Sequence, residues 1–370
     1  MTPITLPRTT GAALPPISAE EARRARGAVV GGMVAAPGGV GMRVTAATTH
    51  ADVLGLFIAS GANTYYRLSV PVGTVGAVNG LYVAPTAQGH AARVVVLSNF
   101  SLVPGRDSLA ELKKLFDGFH SHGARVLLDY DDEIKAVPTR HRRADRNLPS
   151  SLAACRLADA LVCTNETLAE RLRSLNPDVR VVPNYVRADH WPTPAPRRDG
   201  PTVITLTGSA SHLADWQVIA APLRRIRRDY GARVRIRVAG SLFPYLAPLC
   251  DEHLPWTGDL AAYPAMLAGT DIGLCPLADT TFNRCKSPIK AYEFALSGAA
   301  VIGSPTQYGP VLADGRGLVA RTESQWETAI RSYLDNPDAR RRDADALRAY
   351  VASACDARNH AATIAATYLA

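Results

Sequence analysis

Phe282-Asn283-Arg284-Cys285-Lys286-Ser287-Pro288-Ile289-Lys290-Ala291-Tyr292-Glu293-Phe294-Ala295-Leu296-Ser297-Gly298-Ala299-Ala300-Val301-Ile302 is the stretch that decides how this chain is read. Three cations, Arg284, Lys286 and Lys290, surround a Ser287-Pro288 step that opens a short amphipathic helix. The pattern predicts that this helix carries one carboxylate, Glu293, stops at Gly298, and gives way at once to a buried strand. A helix N-terminus offers unpaired N–H groups and the positive end of the helix dipole, so lysines beside it suit a diphosphate. A carboxylate about two turns further in is placed to accept both hydroxyls of a ribose.

Working outward, 370 residues are enough for two domains of ordinary size. With 47% hydrophobic and 20% charged residues the composition is that of a globular protein with a substantial core. No apolar run reaches the ~18 residues that a membrane span needs, so no transmembrane segment is expected. Pro3, Pro7, Pro15 and Pro16 occupy a start without the apolar stretch of a signal peptide. Residues 1–45 read as a flexible lead, with a short helix from Ser18 to Arg26 in which Glu21 is set for a capping box. Cys155, Cys163, Cys250, Cys275, Cys285 and Cys355 show no metal-ligand spacing, which predicts a reducing, cytoplasmic setting and no sulfur-based metal site. The net charge of +8 favours anionic partners: nucleotides, nucleic acid or anionic surfaces.

Short apolar runs at 53–58, 92–97, 124–128, 160–163 and 179–182 alternate with helical patterns at 108–122, 152–157 and 166–175. A glycine-rich stretch, Gly31 to Gly41, precedes them. Such alternation predicts a parallel sheet covered on both faces. The prolines of Trp191 to Gly200 then break regular structure and mark a linker. A second alternation follows, with strands at 202–206, 234–239, 271–275 and 300–302, and helices at 215–228 and 260–268. Helical stretches at 323–334, 339–352 and 354–369 close the chain.

The opening segment resembles the donor-binding segment of the GT-B glycosyltransferases, in a large and mostly retaining family. Ser287, Pro288, Lys290, Glu293, Ala295, Gly298, Val301 and Ile302 carry the likeness, and Ala300 stands where the family has proline. Val182-Pro183-Asn184 resembles the close of the family's first domain, and Leu157-Ala158-Asp159-Ala160 through Thr164-Asn165-Glu166 a strand-to-helix step within it. Gly258, Tyr263 and Asp271 to Pro276 resemble the run beside base and sugar. The likeness implies two Rossmann-like parallel-sheet domains facing across a cleft, with C-terminal helices crossing back. The expected division is an acceptor domain over 46–186, a linker over 187–200, a nucleotide-sugar domain over 201–352 and a closing helix over 353–370 that packs on the first domain.

It also implies roles. Glu293 is the ribose carboxylate. The loop Thr207-Gly208-Ser209-Ala210-Ser211-His212 lets backbone approach a phosphate, so Gly208, Ser209 and His212 are donor-binding candidates. The arginine and lysine that the family places after this glycine are absent from 209–216, which leaves Arg284, Lys286 and Lys290 to hold the diphosphate, with Ser287 a further donor-binding candidate. A further glutamate, eight residues before the ribose one in many members, is Cys285 here.

On the acceptor side, Leu127-Leu128-Asp129-Tyr130-Asp131-Asp132-Glu133 ends a buried strand in a cluster of carboxylates. Like charges so close raise one another's pKa, which suits proton handling. Asp131 or Asp132 is expected at the acceptor hydroxyl, with Lys286 as the third catalytic candidate; the rival reading is a D-x-D metal motif formed by Asp129 and Asp131. Arg67, in the loop Asn63 to Pro71 after the first strand, is expected to hold an acceptor phosphate. The basic run Arg140-His-Arg-Arg-Ala-Asp-Arg146 supplies Arg140, Arg142 and Arg143 as contacts to a polyanionic acceptor.

The expected activity is transfer of a sugar from a nucleotide diphosphate sugar, such as a UDP-sugar, to a hydroxyl, with retained configuration and no cofactor beyond that co-substrate. Two acceptors fit. One is a surface glycan or lipid-linked sugar. The other is a hydroxymethylated base in DNA, because Y-R-L-x-x-P, D-Y-D-D and F-N-x-x-K-S-x-x-K resemble bacteriophage-encoded glycosyltransferases; such a base must be flipped out to react. The alternative is an inactive nucleotide-sugar-binding protein.

Overall fold

The structure is a computed structural model that describes residues 51–57, 62–80, 92–98, 108–134, 142–194, 200–256 and 262–370. The expected lead and its helix, the glycine-rich stretch, Arg140 and Gly258 lie outside them.

Two all-parallel sheets of six strands each form the frame. The first contains β1 (Val53–Phe57), β2 (Ala77–Gly80), β3 (Val94–Ser98), β4 (Arg125–Tyr130), β5 (Ala160–Cys163) and β6 (Val179–Val181), in the order β2-β1-β3-β4-β5-β6. The second contains β7 (Thr202–Gly208), β8 (Val234–Gly240), β9 (Glu252–Leu254), β10 (Ile272–Cys275), β11 (Ala300–Gly303) and β12 (Leu318–Val319), in the order β12-β11-β10-β7-β8-β9. Central strands such as Val94–Ser98 and Ile272–Cys275 are buried along their whole length, because helices cover both sheet faces. This is why 94–97 and 272–275 read as unbroken apolar runs.

The strands without that signature, Ala77–Gly80, Glu252–Leu254 and Leu318–Val319, lie at sheet edges and were not expected from the sequence. Residues expected as a loop after β1 are helical: a π-helical turn, Tyr65–Ser69, runs into the helix Pro71–Val75 with proline in its first turn. The reason is topological. β2 pairs parallel to β1, so the connection must travel back along the sheet. The helix expected from Leu152 begins at Arg142 and continues through Pro149 to Leu157, which puts Arg142 and Arg143 of the basic run in its first turn.

The last expected helix is interrupted. Val186 donates its N–H to the Cys355 carbonyl and accepts from Ala357, so the chain pairs with the segment after β6 and its helical ladder breaks there. The helix Ala361–Leu369 then packs on the first sheet, where Ala357, Ile364 and Tyr368 join Val53, Val94 and Val162 in one core. Arg180 donates to the carbonyls of Thr367 and Tyr368 and caps that helix. The C-terminal segment therefore crosses back. All six cysteines are free thiols.

Candidate active site

In the second sheet the strand order reverses between β7 and β10, and open parallel sheets bind ligands at the carboxyl ends of strands beside such a switch point. β7 ends at Gly208, directly opposite Gly240 of β8. A Cβ on Gly240 would lie 2.3 Å from the Gly208 carbonyl oxygen, and one on Gly208 would lie 2.5 Å from the His212 ring. Both glycines are needed for the loop to fold back over the strand ends.

That loop turns through Ala210–His212 and buries the His212 imidazole, stacked on Trp216 with ring planes 10° apart. Nδ1 of His212 is 2.8 Å from Asp215, whose other oxygen accepts from the Ala278 N–H and from Asn283 Nδ2. Asp215 thus ties the loop after β7 to the segment after β10, across the switch point. Burial, with the Lys290 and Lys286 charges, lowers the His212 pKa to about 4 against the pull of Asp215.

The helix Ile289–Leu296 ends as predicted at Gly298, whose φ is +86°. Gly298 N–H bonds to Ala295 and Ala299 N–H to Phe294, the paired bonds of a Schellman motif. At its other end Pro288 offers no side-chain cap, so the first N–H groups of the helix keep their capacity for a ligand. Lys290, half-buried in the first turn, has no ion-pair or hydrogen-bond partner among the described residues.

Glu293 lies one turn deeper, 4% exposed. Tyr66 donates to its Oε1 at 2.7 Å and Tyr263 to its Oε2 at 2.8 Å, while Thr207 Oγ1 lies 3.1 Å from the Tyr263 hydroxyl. Burial pushes the carboxyl up, against the opposing effects of Lys290 and the two hydroxyls. Both oxygens of the expected ribose carboxylate are thus engaged by tyrosines, one of them from the other sheet's side of the molecule.

The residues leading into this helix dock on the first half. Asn165 Nδ2 donates to the Cys285 carbonyl at 2.8 Å, and Asn184 Nδ2 to Ser287 Oγ at 2.8 Å. Lys286 Nζ lies over the Phe282 ring and 3.2 Å from Asp132. The Cys285 side chain is fully buried in the core of the first sheet, with its thiol pushed up to about 11 by burial. Reciprocally, Tyr66 enters a core otherwise built mainly by the second half.

Residues 218–366 match a protein family described as "Glycosyl transferase-like". No curated protein matches. Among solved structures, Anabaena HepE in complex with UDP and glucose superposes with a TM-score of 0.61 at 11% identity, over 86% of this chain and 99% of that one. The lipopolysaccharide glycosyltransferase WaaG gives 0.53 at 14% identity, over 81% and 95%, and a UDP-forming trehalose-phosphate synthase from Burkholderia xenovorans gives 0.52 at 12%, over 74% and 73%. The fold is GT-B.

Within the GT-B frame several expected residues find other work. Arg67 does not face an acceptor. It is fully buried, donates through Nε and Nη2 to both oxygens of Asp129, and spends Nη1 on the Val182 carbonyl and Asn184 Oδ1. Full burial, with four of its five N–H donors engaged, keeps it from a phosphate, and the bidentate pair removes Asp129 from any D-x-D metal pair. The carboxylate cluster is dispersed as well: Glu133 pairs with Arg171, Asp131 accepts from Asn63 and Asp132 takes Lys286. The ordering Asp129–Arg67–Asn184–Ser287 forms a polar chain from β4 to the segment that leads into Ile289–Leu296.

The structure brings Lys286, Ser287, Lys290, Glu293 and His212 to the same strand ends, with Asp132 reaching in from the first half. Arg284 is exposed and bound to Asp279. Ser209 is exposed beside Ser211. Sequence reasoning missed Tyr66, Asn165 and Asp215 as site residues; the spacing of Asp215 three residues after His212 was the one available signal.

Proposed function

We propose that this chain is a glycosyltransferase that passes a sugar from a nucleotide diphosphate donor to an acceptor hydroxyl. The observation that carries the reading is the N-terminus of Ile289–Leu296, without a side-chain cap, with Lys290, unpartnered among the described residues, in its first turn, set beside the β7/β10 switch point. The glycosyl transferase-like match over 218–366 and the UDP held by HepE support it.

In this reading the diphosphate meets the helix N-terminus and Lys290, with Gly208 allowing close backbone approach. The ribose takes Glu293 by exchanging with Tyr66. As the anomeric C–O bond breaks, the leaving diphosphate gains charge, and Lys286 and Lys290 stabilise that charge more than the ground state. Asp132, held by Lys286, and Asp131 stand on the acceptor side. Retention of configuration is what the family resemblance implies.

The test is calorimetry with UDP-, GDP-, ADP- and dTDP-glucose, followed by label transfer from the binder to a lipid-linked glycan and to hydroxymethylated DNA. Binding of at least one donor and labelling of one acceptor is expected, with proton NMR of the first product reading the anomeric outcome. A DNA acceptor requires transfer to fall steeply between about 50 and 200 mM salt, and to lose that dependence when Arg140, Arg142, Arg143 and Arg146 are neutralised together. Binding without either transfer or slow donor hydrolysis would leave an inactive nucleotide-sugar-binding protein, the reading to which the buried Cys285 lends itself.

A further inference from the structure

The loop after β7 lacks the cations that a diphosphate needs, yet it holds a buried imidazole with one unused nitrogen. Nδ1 of His212 is fixed by Asp215, and Asp215 is fixed in turn by Ala278 and Asn283, so the ring cannot turn away. Nε2 has no hydrogen-bond partner among the described residues, in a side chain only 6% exposed. It lies 3.2 Å from the point where a Cβ on residue 208 would sit, so the ring packs directly against the bare glycine at the end of β7.

We propose that His212 is the protein's proton-binding contact to the donor: a nucleotide diphosphate seated beside Gly208 draws a proton from solvent onto Nε2, and the imidazolium then donates to a phosphate oxygen. The inference rests on the donor-site reading above. Nothing covalent changes; one solvent proton is taken up with the donor and returned when the nucleotide leaves.

The surroundings fit this exchange. The charged groups acting on His212 are Asp215, which favours the imidazolium, and Lys290 and Lys286, which disfavour it. Tyr245 and Tyr308, which feel the Asp215 charge from neighbouring segments, stay protonated because burial pushes both up. In the free protein the two lysines and burial keep the ring neutral. Two phosphate charges offset the lysines and leave Asp215 unopposed, so the ring gains its proton only when the donor is present. His212 thereby supplies the charge that the missing arginine and lysine do not.

Nucleotide sugars suit the test because their diphosphate is a diester with no titrating group near neutrality. The tightest binder of UDP-, GDP-, ADP- and dTDP-glucose is titrated calorimetrically into the full chain at pH 6 in two buffers of different ionisation enthalpy. Uptake of a fraction of one proton is expected, with affinity falling as pH rises from 5.5 to 8, and both effects lost in His212→Gln. Independently of any variant, the ring resonances of one histidine in the wild-type chain should titrate at higher pH once the donor is bound. Donor binding with no proton uptake, or uptake that persists undiminished in His212→Gln, overturns the proposal while leaving the donor site intact. Failure of all four nucleotide sugars to bind overturns the donor reading itself, and this inference with it.

Discussion

The hydroxyl of Tyr66 donates to Oε1 of Glu293 across 2.7 Å and 227 positions of sequence, joining the π-helical turn of the first half to the helix Ile289–Leu296 of the second. The bond fills half of the acceptor capacity that a ribose would use. It also explains how a carboxylate 4% exposed is tolerated, since Tyr263 completes its partners from the other side.

If ribose displaces Tyr66, removing the phenol hydroxyl removes a competitor. Tyr66→Phe should tighten nucleotide-sugar binding by about three- to tenfold, from a hydrogen bond of about 1 kcal/mol that no longer has to be exchanged. Calorimetry reads it directly. Unchanged or weaker binding would mean that Tyr66 stays in place beside the donor.

Glu293→Gln should weaken donor binding by ~1.5–3 kcal/mol, the range for hydrogen bonds to a charged group. Stability should move the other way. Burial raises the carboxyl's pKa in the folded chain, so Glu293 binds its proton more tightly folded than unfolded. Its ionisation therefore works against the fold as pH rises past the unfolded value toward the folded one, and continues to do so above it. Glutamine carries no such penalty. The melting temperature of the variant relative to the wild type should be higher at pH 8 than at pH 4.5, measured by scanning calorimetry.

Arg67 and Asp129 form an ion pair with both side chains at 0% exposure. Removing one partner strands the other charge, so Arg67→Met should cost about 3–5 kcal/mol in urea unfolding. Replacing both, as Arg67→Met with Asp129→Leu, should recover much of that loss. An Arg67 that served only to hold an acceptor would give little stability change in the single variant.

Lys286 and Asp132 meet 3.2 Å apart, with the Asp132 side chain 41% exposed. With its carboxylate so open to solvent the pair contributes under about 1 kcal/mol to stability, although Lys286 itself is 17% exposed, and Asp132→Asn should unfold at nearly the wild-type denaturant midpoint. Function should be more sensitive. Lys286→Met is expected to lower kcat more than it raises the donor KM, because the charge it answers develops in the transition state. Steady-state kinetics showing a KM effect alone would make Lys286 a ground-state binder.

Local sequence carried the architecture. Runs such as 94–97 and 272–275 are apolar throughout because each strand is covered on both faces, and that requirement is written residue by residue. The helix from Ile289 to its glycine stop was legible for the same reason: capping and termination depend on neighbours in sequence. The edge strands β2, β9 and β12 were not, because an edge makes weaker demands on side-chain type. What the side chains do at the site was decided only by the tertiary structure. Arg67 reads as a surface cation until a carboxylate 62 residues away is found to enclose it. Cys285 reads as a gap in a sugar-binding pattern until it proves to be part of the opposite core. A charge close to others in sequence looks like a cluster, yet Asp129, Asp131, Asp132 and Glu133 each leave the strand end toward a different partner. Pairing in space follows from how two sheets and a returning helix are set against one another, and no local period of the sequence records it.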